Sequence, residues 1–237
     1  MVDVVHHVIN LSESTDRWNT MKRLPIKMER FEAIDGKRVD LSVVELGMAT
    51  RANLMNKNKH SHLDIDSVGA LGAYLSHFEV WKKIADTQAS VVLEDDVILH
   101  ADYATRLKQA QASNYDIVML GIQHGPNRAF SSIKPWTRGG NLVNGVFAYY
   151  LTPQGARTLI KNAFPVSLSV DHYVYGQCGL NNVPIGYVNA VSHNSFTRHT
   201  IFHAPLKRDY PYQIVLISIL ILSILLLHQQ TQHLCLL

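Results

Sequence analysis

Short, wholly apolar runs alternate with segments of helical periodicity along most of this chain, and that alternation restricts the fold more than any other feature. The clearest run is Val91–Leu93 in "SVVLEDDVILH". A strand with no polar residue at its centre belongs to a sheet covered on both faces. "VVHHVINL" ending at Asn10, "MERFEAIDG", "YDIVMLG" ending at Gly121, "GVFAYYL" and "VPIGYVNAVSHNSF" read as further strands. Helical segments lie between them. "STDRWNTMKRL" has Ser14 or Thr15 as N-cap and Pro25 beyond its end. "DSVGALGAYLSHFEVWKKIAD" is capped by Asp66 or Ser67, and Val68, Leu71, Leu75, Phe78, Trp81 and Ala85 make its core face. "DYATRLKQAQA" follows; Thr152 and Pro153 open "TPQGARTLI", and Asp171 is placed to cap "HYVYGQC". The pattern predicts an α/β layered fold. The polar stretch Leu41 to His62 yields no element, and Ile122 to Asn141, rich in Gly, Pro, Ser and Asn, reads as a long loop.

Composition excludes several classes. Hydrophobic residues make up 47% and charged residues 17%, which supports a packed core rather than a disordered chain. A net charge of +3 without a dense basic block gives no electrostatic footprint for nucleic acid. Cys178 and Cys235 form neither a disulfide framework nor a zinc spacing, which fits a reducing compartment. "MVDVVHHVINL" lacks the basic start and unbroken apolar run of a signal peptide. Ile214 to Leu227 is apolar apart from Ser218 and Ser223. That run is shorter than the ~20 residues a spanning helix needs, yet too apolar all round for a surface helix. A short tail anchor, an interfacial segment and a buried terminal helix all fit. Lys207 and Arg208 precede it and would keep the main domain on the cytoplasmic side. The expected organisation is a catalytic domain over residues 1–211 and a tail over 212–237, cytoplasmic or held at the cytoplasmic face of a membrane.

Glu94, Asp95 and Asp96 stand directly after the buried run. Strand ends in open α/β sheets border the crevice where ligands bind. A period of two puts Glu94 and Asp96 on one side and Asp95 on the other. Paired carboxylates facing a ligand suit Mg²⁺ or Mn²⁺, which prefer oxygen donors. The cation would also remove the repulsion among three adjacent acids. On the helix from Asp66, Gly69, Gly72 and Ser76 form a small-residue stripe, which allows close approach by a strand or by a ligand. Glycine costs a helix about 1 kcal/mol relative to alanine, so something must offset it.

The segments "VINLSESTDRW", "FEAIDG", "GALGAYLSHFEVWKKI", "VVLEDDV", "NGVFAYYLTPQGARTLI" and "VDHYVYG" together resemble, in content and order, glycosyltransferase family 25. That family includes bacterial lipooligosaccharide galactosyltransferases and is related to the collagen galactosyltransferases. The resemblance covers roughly Val4 to His199. It implies a GT-A-type fold with a mixed, mostly parallel sheet flanked by helices. It also implies a nucleotide-sugar donor, a divalent metal (Mn²⁺ or Mg²⁺) and inverting transfer of a hexose, galactose or glucose, from a UDP-sugar to a hydroxyl of a glycan or glycoconjugate. "EDD" resembles the family's acidic metal motif, with Asp96 the leading ligand and Glu94 and Asp95 supporting the metal or binding the donor ribose. By the same resemblance Asn10 and Leu11 lie beside the nucleotide, with Arg17 near a phosphate. Asp35 and Gly36 match the turn that closes the base pocket, or are a simple turn pair. The stripe of Gly69, Gly72 and Ser76 would let its helix pass close to the donor.

Inverting transfer needs a base for the acceptor hydroxyl proton. Asp171 in "DHY" is the candidate, with His172 beside it to orient substrate. His193 in "VSHNSF" is a candidate third metal ligand. Trp136 and Arg138 in the long loop are candidates for contact with acceptor sugar or donor phosphate, and Trp136 equally suits a loop anchor. The competing reading is a nucleotide-sugar or glycan-binding protein of the same fold without turnover; the intact "EDD" and "DHY" oppose it. A phosphatase of the DxDxT kind is disfavoured because "EDDVI" lacks the threonine. A sugar nucleotidyltransferase is disfavoured because no Gly-rich, Arg-bearing phosphate loop opens the chain.

Overall fold

The computed structural model describes residues 4–56, 65–121, 132–135, 145–181 and 183–193. The chain divides into a compact unit, Met1–Ala204, which contains all of these, and a second, Pro205–Leu237. The boundary expected after residue 211 and the apolar tail therefore lie outside the described residues, as do Trp136 and Arg138. Among the described residues no helix is long and apolar enough to cross a membrane.

The element order is β1 (His6–Asn10), α1 (Thr15–Met21), β2 (Met28–Glu32), a short 3-10 helix (Gly36–Arg38), α2 (Met48–Asn56), α3 (Val68–Ala85), β3 (Ser90–Glu94), β4 (Val97–Leu99), α4 (Tyr103–Gln111), β5 (Ile117–Gly121), β6 (Lys134–Pro135), β7 (Ala148–Leu151), α5 (Pro153–Lys161), α6 (Val170–Asn181) and β8 (Ile185–His193). The strands join in one sheet, in the order β2-β1-β3-β7-β5-β8-β4, with β6 also on β8. β1, β2, β3, β5 and β8 share one direction; β7 is antiparallel to both its neighbours, and β4 and β6 are antiparallel to β8. This is the mixed, mostly parallel α/β sheet flanked by helices that the sequence predicts.

β3 shows why the apolar run is unbroken. Val91, Val92 and Leu93 are all fully buried. Successive side chains point to opposite faces. Val92 joins a core with α3 and α5, built around Leu71, Trp81 and Leu159. Val91 and Leu93 join the opposite core with α4, around Tyr103 and Leu107. Leaving the sheet covered on one side only would expose one of these sets.

The structure departs from the sequence reading in four elements. α2 occupies part of the unassigned Leu41 to His62 stretch. Met48 and Met55 are strongly exposed while Thr50 and Asn53 are buried, so no apolar stripe marks this helix. β4 has only three residues, with Ile98 half exposed. In α3, Ser67 is the cap, accepting from the Ala70 N–H. Its buried face includes Tyr74, His77, Val80 and Ile84, while Val68, Phe78 and Ala85 fall at the edges. α6 begins at Val170, so Asp171 lies within the first turn instead of capping it.

The small-residue stripe is explained by backbone packing. A Cβ on Gly72 would lie 2.6 Å from the Ile34 carbonyl oxygen and 2.7 Å from the Gly36 nitrogen. The Ser76 hydroxyl accepts from the Ile34 N–H (2.8 Å) and donates to the Gly72 carbonyl (2.7 Å). The approach is reciprocal: a Cβ on Gly36 would come within 1.7 Å of the Val68 carbonyl oxygen. That contact is backbone on backbone and cannot be relieved by a rotamer change. Gly36→Ala is therefore expected to lower unfolding stability by about 3 kcal/mol, at the upper end for overpacking. Chemical denaturation of the purified variant checks it; a loss below about 0.5 kcal/mol, the scale of an unremarkable surface change, would refute the packing argument.

Candidate active site

Two strand ends and one strand pairing assemble the acidic site. β1 and β3 are parallel neighbours in a register that sets Ile9 opposite Glu94, so Asn10 and Glu94 reach the same edge of the sheet. After Glu94 the chain turns at Asp95–Asp96 and returns as β4. β4 pairs with β8 with Val97 opposite His193, which carries His193 to Asp96. His193 Nε2 is 3.2 Å from Asp96 Oδ2. One donor atom from each of Glu94, Asp96 and His193 lies within 4.8 Å of the others. The Phe147 ring meets the His193 ring edge-on, with centroids 5.4 Å apart, and supports it from β7's approach. Two carboxylates and an imidazole form an oxygen- and nitrogen-donor set that fits a divalent cation, with coordination positions left for ligand oxygens.

Asp95, in the turn between β3 and β4, has a separate set of partners. Asn10 Nδ2 donates to its Oδ2, and Arg17 Nη1 is 3.1 Å from its Oδ1. Asn10 Nδ2 also donates to the Ser14 carbonyl, and Arg17 Nη2 donates to the Ser14 hydroxyl (2.8 Å). The Leu11 carbonyl accepts from Ser14 N–H and from Arg30 Nη2. Asn10, Leu11, Arg17 and Asp95 thus form one cluster where β1 passes into α1. Burial raises the Asp95 carboxyl to about 6, against the opposing effects of the Asn10 hydrogen bond and the Arg17 charge.

Asp171 reaches the same region from α6. Its Oδ1 accepts from the Val146 backbone N–H at 2.7 Å, just before β7. Burial, followed by the charge of Glu94, pushes its carboxyl up to about 6. Asp171 is thus a carboxyl raised toward neutrality and near enough to Glu94 to feel its charge. His172 pairs instead with the Ser169 hydroxyl through Nδ1 (2.7 Å), at its own helix start.

Gly72 and Ser76 meet the 34–36 backbone, as described above, so their observed partners are protein backbone. Asp35 caps the 3-10 helix, accepting from Lys37 N–H at 3.0 Å, and lies 3.5 Å from Arg38 Nε. Among the described residues, these positions shape the turn beside α3. One site residue escaped the sequence reading. His77, fully buried on α3, has Nε2 3.5 Å from Glu94 Oε1 and Nδ1 2.9 Å from the Tyr149 hydroxyl. The available signal was a polar residue on the apolar stripe, four positions before Trp81.

Comparison with known proteins identifies the family. The family model described as "Glycosyltransferase family 25 (LPS biosynthesis protein)" matches residues 4–174. Procollagen galactosyltransferase 1 of Danio rerio is 31% identical over 187 residues, covering 70% of this chain and 30% of that protein. A "Glycosyltransferase 25 family member" of Anopheles gambiae is 27% identical over 187 residues, covering 71% of this chain and 30% of that protein. The chain thus spans less than a third of the length of these relatives. The solved inositol-1-phosphate CTP transferase of T. maritima superposes with a TM-score of 0.38 at 12% identity, over 79% of this chain and 67% of that one. Matched by the family model from β1 into α6, the chain belongs to glycosyltransferase family 25.

Proposed function

We propose that the chain is an inverting glycosyltransferase that moves a hexose, galactose by analogy with the procollagen galactosyltransferases, from a UDP-sugar to a hydroxyl of a glycan or glycoconjugate. The observation that carries this reading is the convergence of Glu94, Asp96 and His193 at a strand-end edge that Asp171 also reaches electrostatically. Asn10, Leu11 and Asp95 lie at the adjoining strand end and bind the nucleoside part of the donor, with Arg17 toward a phosphate. Arg17, held by Asp95 and Ser14, supplies positive charge there. Glu94, Asp96 and His193 would hold Mn²⁺ or Mg²⁺. When bound, the ion supplies charge neutralisation for the departing diphosphate.

Asp171 takes the proton of the acceptor hydroxyl. That oxygen attacks the anomeric carbon from the face opposite the diphosphate, the bond from carbon to the diphosphate oxygen breaks, and UDP leaves. Configuration inverts because attack and departure are on opposite faces. The Val146 N–H holds the carboxylate by one oxygen and leaves the other for the proton.

The test is a donor screen by released UDP, with Mn²⁺ present and with metal chelated. Release from UDP-galactose or UDP-glucose that needs metal and rises with a glycan acceptor is expected. UDP-sugar that protects the fold without ever being consumed would instead establish a binding protein without turnover.

A further inference from the structure

We propose that His77 is a positioning residue, held in one tautomer by Tyr149 and Trp81 so that its Nε2–H fixes Glu94 for the cation. The inference rests on the metal-site reading above and extends it to three residues of the core beside Glu94. All three are buried to 1% exposure or less.

The hydrogen-bond inventory determines the proton positions. Trp81 Nε1 can only donate, and it lies 2.8 Å from the Tyr149 hydroxyl oxygen. Tyr149 accepts that bond and keeps one proton of its own. His77 Nδ1 is 2.9 Å away, and its ring stacks on Tyr149 with centroids 5.8 Å apart and planes 24° apart. If Nδ1 carried the proton, the buried Tyr149 proton would have no acceptor among the described residues. Buried polar groups are rarely left so. The satisfied arrangement has Tyr149 donating to Nδ1, which places the imidazole proton on Nε2. That nitrogen faces Glu94 Oε1 at 3.5 Å. The hydrogen bonds from Trp81 to Tyr149 and from Tyr149 to His77 therefore run from the core toward the site's edge, where His77 Nε2 lies 3.5 Å from Glu94 Oε1.

The elements explain why this arrangement is rigid. His77 and Trp81 are one helical turn apart on α3, and Tyr149 is on β7. β7 pairs with β3 in a register that sets Tyr149 opposite Val92, two residues before Glu94. Glu94 is itself tied to that strand by its N–H to the Phe147 carbonyl, at 2.8 Å. Groups that orient a ligand carboxylate in this way change metal affinity by about 10–100-fold when removed.

Two measurements on the full chain test the proposal. Nitrogen NMR of the histidines in the unaltered protein is expected to show a proton on His77 Nε2 and none on Nδ1; a proton on Nδ1 overturns the proposal. Mn²⁺ titration followed by electron paramagnetic resonance, without donor, is expected to show about 10–100-fold weaker binding for Tyr149→Phe and His77→Leu. His77→Gln, whose amide N–H points the same way, is expected to restore most of it. Binding by Tyr149→Phe within about twofold of the parent, well below that orientation effect, overturns the proposal while leaving the metal site standing. Parent-like Mn²⁺ binding by Asp96→Asn would overturn the metal site and the proposal together. If Tyr149→Phe fails to fold, the NMR measurement decides alone.

Discussion

Asp96→Asn is expected to lower transfer by at least about a thousandfold while the protein still folds, because the change removes several kcal/mol of charge stabilisation from the reaction and little from the core. Asp96 opens the return strand β4, and its Oδ2 lies 3.2 Å from His193 Nε2. An asparagine keeps the shape and one acceptor oxygen, so the β4–β8 pairing that positions His193 is retained. What disappears is the negative charge that, with Glu94, would complete the donor set of the proposed cation. The measurements are UDP release across a Mn²⁺ series and a thermal melt of the same preparation. A melting temperature close to the parent's with activity lost is the expected pair. Activity that survives both the substitution and chelation would sink the metal-dependent mechanism. A collapsed melting temperature would show that Asp96 serves the fold, and the lost activity would then say nothing about the metal.

The residues that make this site differ in how legible they were. Val91, Val92 and Leu93 announce a doubly covered strand, and a doubly covered strand in an α/β sheet predicts a crevice at its end. Glu94 and Asp96 were therefore placed on one side and Asp95 on the other by local periodicity alone. His193 is a candidate in the sequence without a register to place it, since its position depends on β8 pairing with a three-residue strand whose middle residue is half exposed. No local pattern reports that register. The small-residue stripe on α3 signalled a close approach correctly but could not name the partner; the structure supplies backbone at 34–36. His77 was passed over because helical periodicity scores apolar positions, and a buried histidine whose bonds come from another strand looks like a break in the stripe. α2 was invisible because it buries Thr50 and Asn53 and exposes Met48 and Met55, the reverse of the pattern that identifies a helix. Asp171 was expected as a cap. The structure directs its carboxylate to the N–H of Val146, a long-range bond that helix-end rules do not foresee.

That bond makes Asp171→Asn the most informative change after Asp96. As the proposed base, Asp171 contributes about 10²–10⁴-fold to the rate, and asparagine cannot take the proton. Transfer should fall by that amount at pH 7. Stability should move the other way. The folded carboxyl is raised to about 6 from 3.8, first by burial and then by Glu94, so the ionised form is disfavoured in the fold. At pH 7 the group is ionised in both folded and unfolded chains, and holding that charge in the fold costs roughly 1–3 kcal/mol. As pH falls through about 6 the folded group takes up its proton first, so its contribution to stability improves down to the unfolded value near 4. An asparagine keeps an oxygen for the Val146 N–H and carries no charge. The Asp171→Asn protein should therefore be as stable as the parent or more so at pH 7, with the advantage shrinking toward pH 4. Parent activity should decline as pH drops through about 6, and the variant's residual activity should lack that limb. Denaturant melts and UDP release measured across the same pH series check both halves. A variant that loses stability at pH 7 would mean the carboxylate is structural. One that keeps full activity would mean that the base lies elsewhere, whatever Asp171 does for the fold.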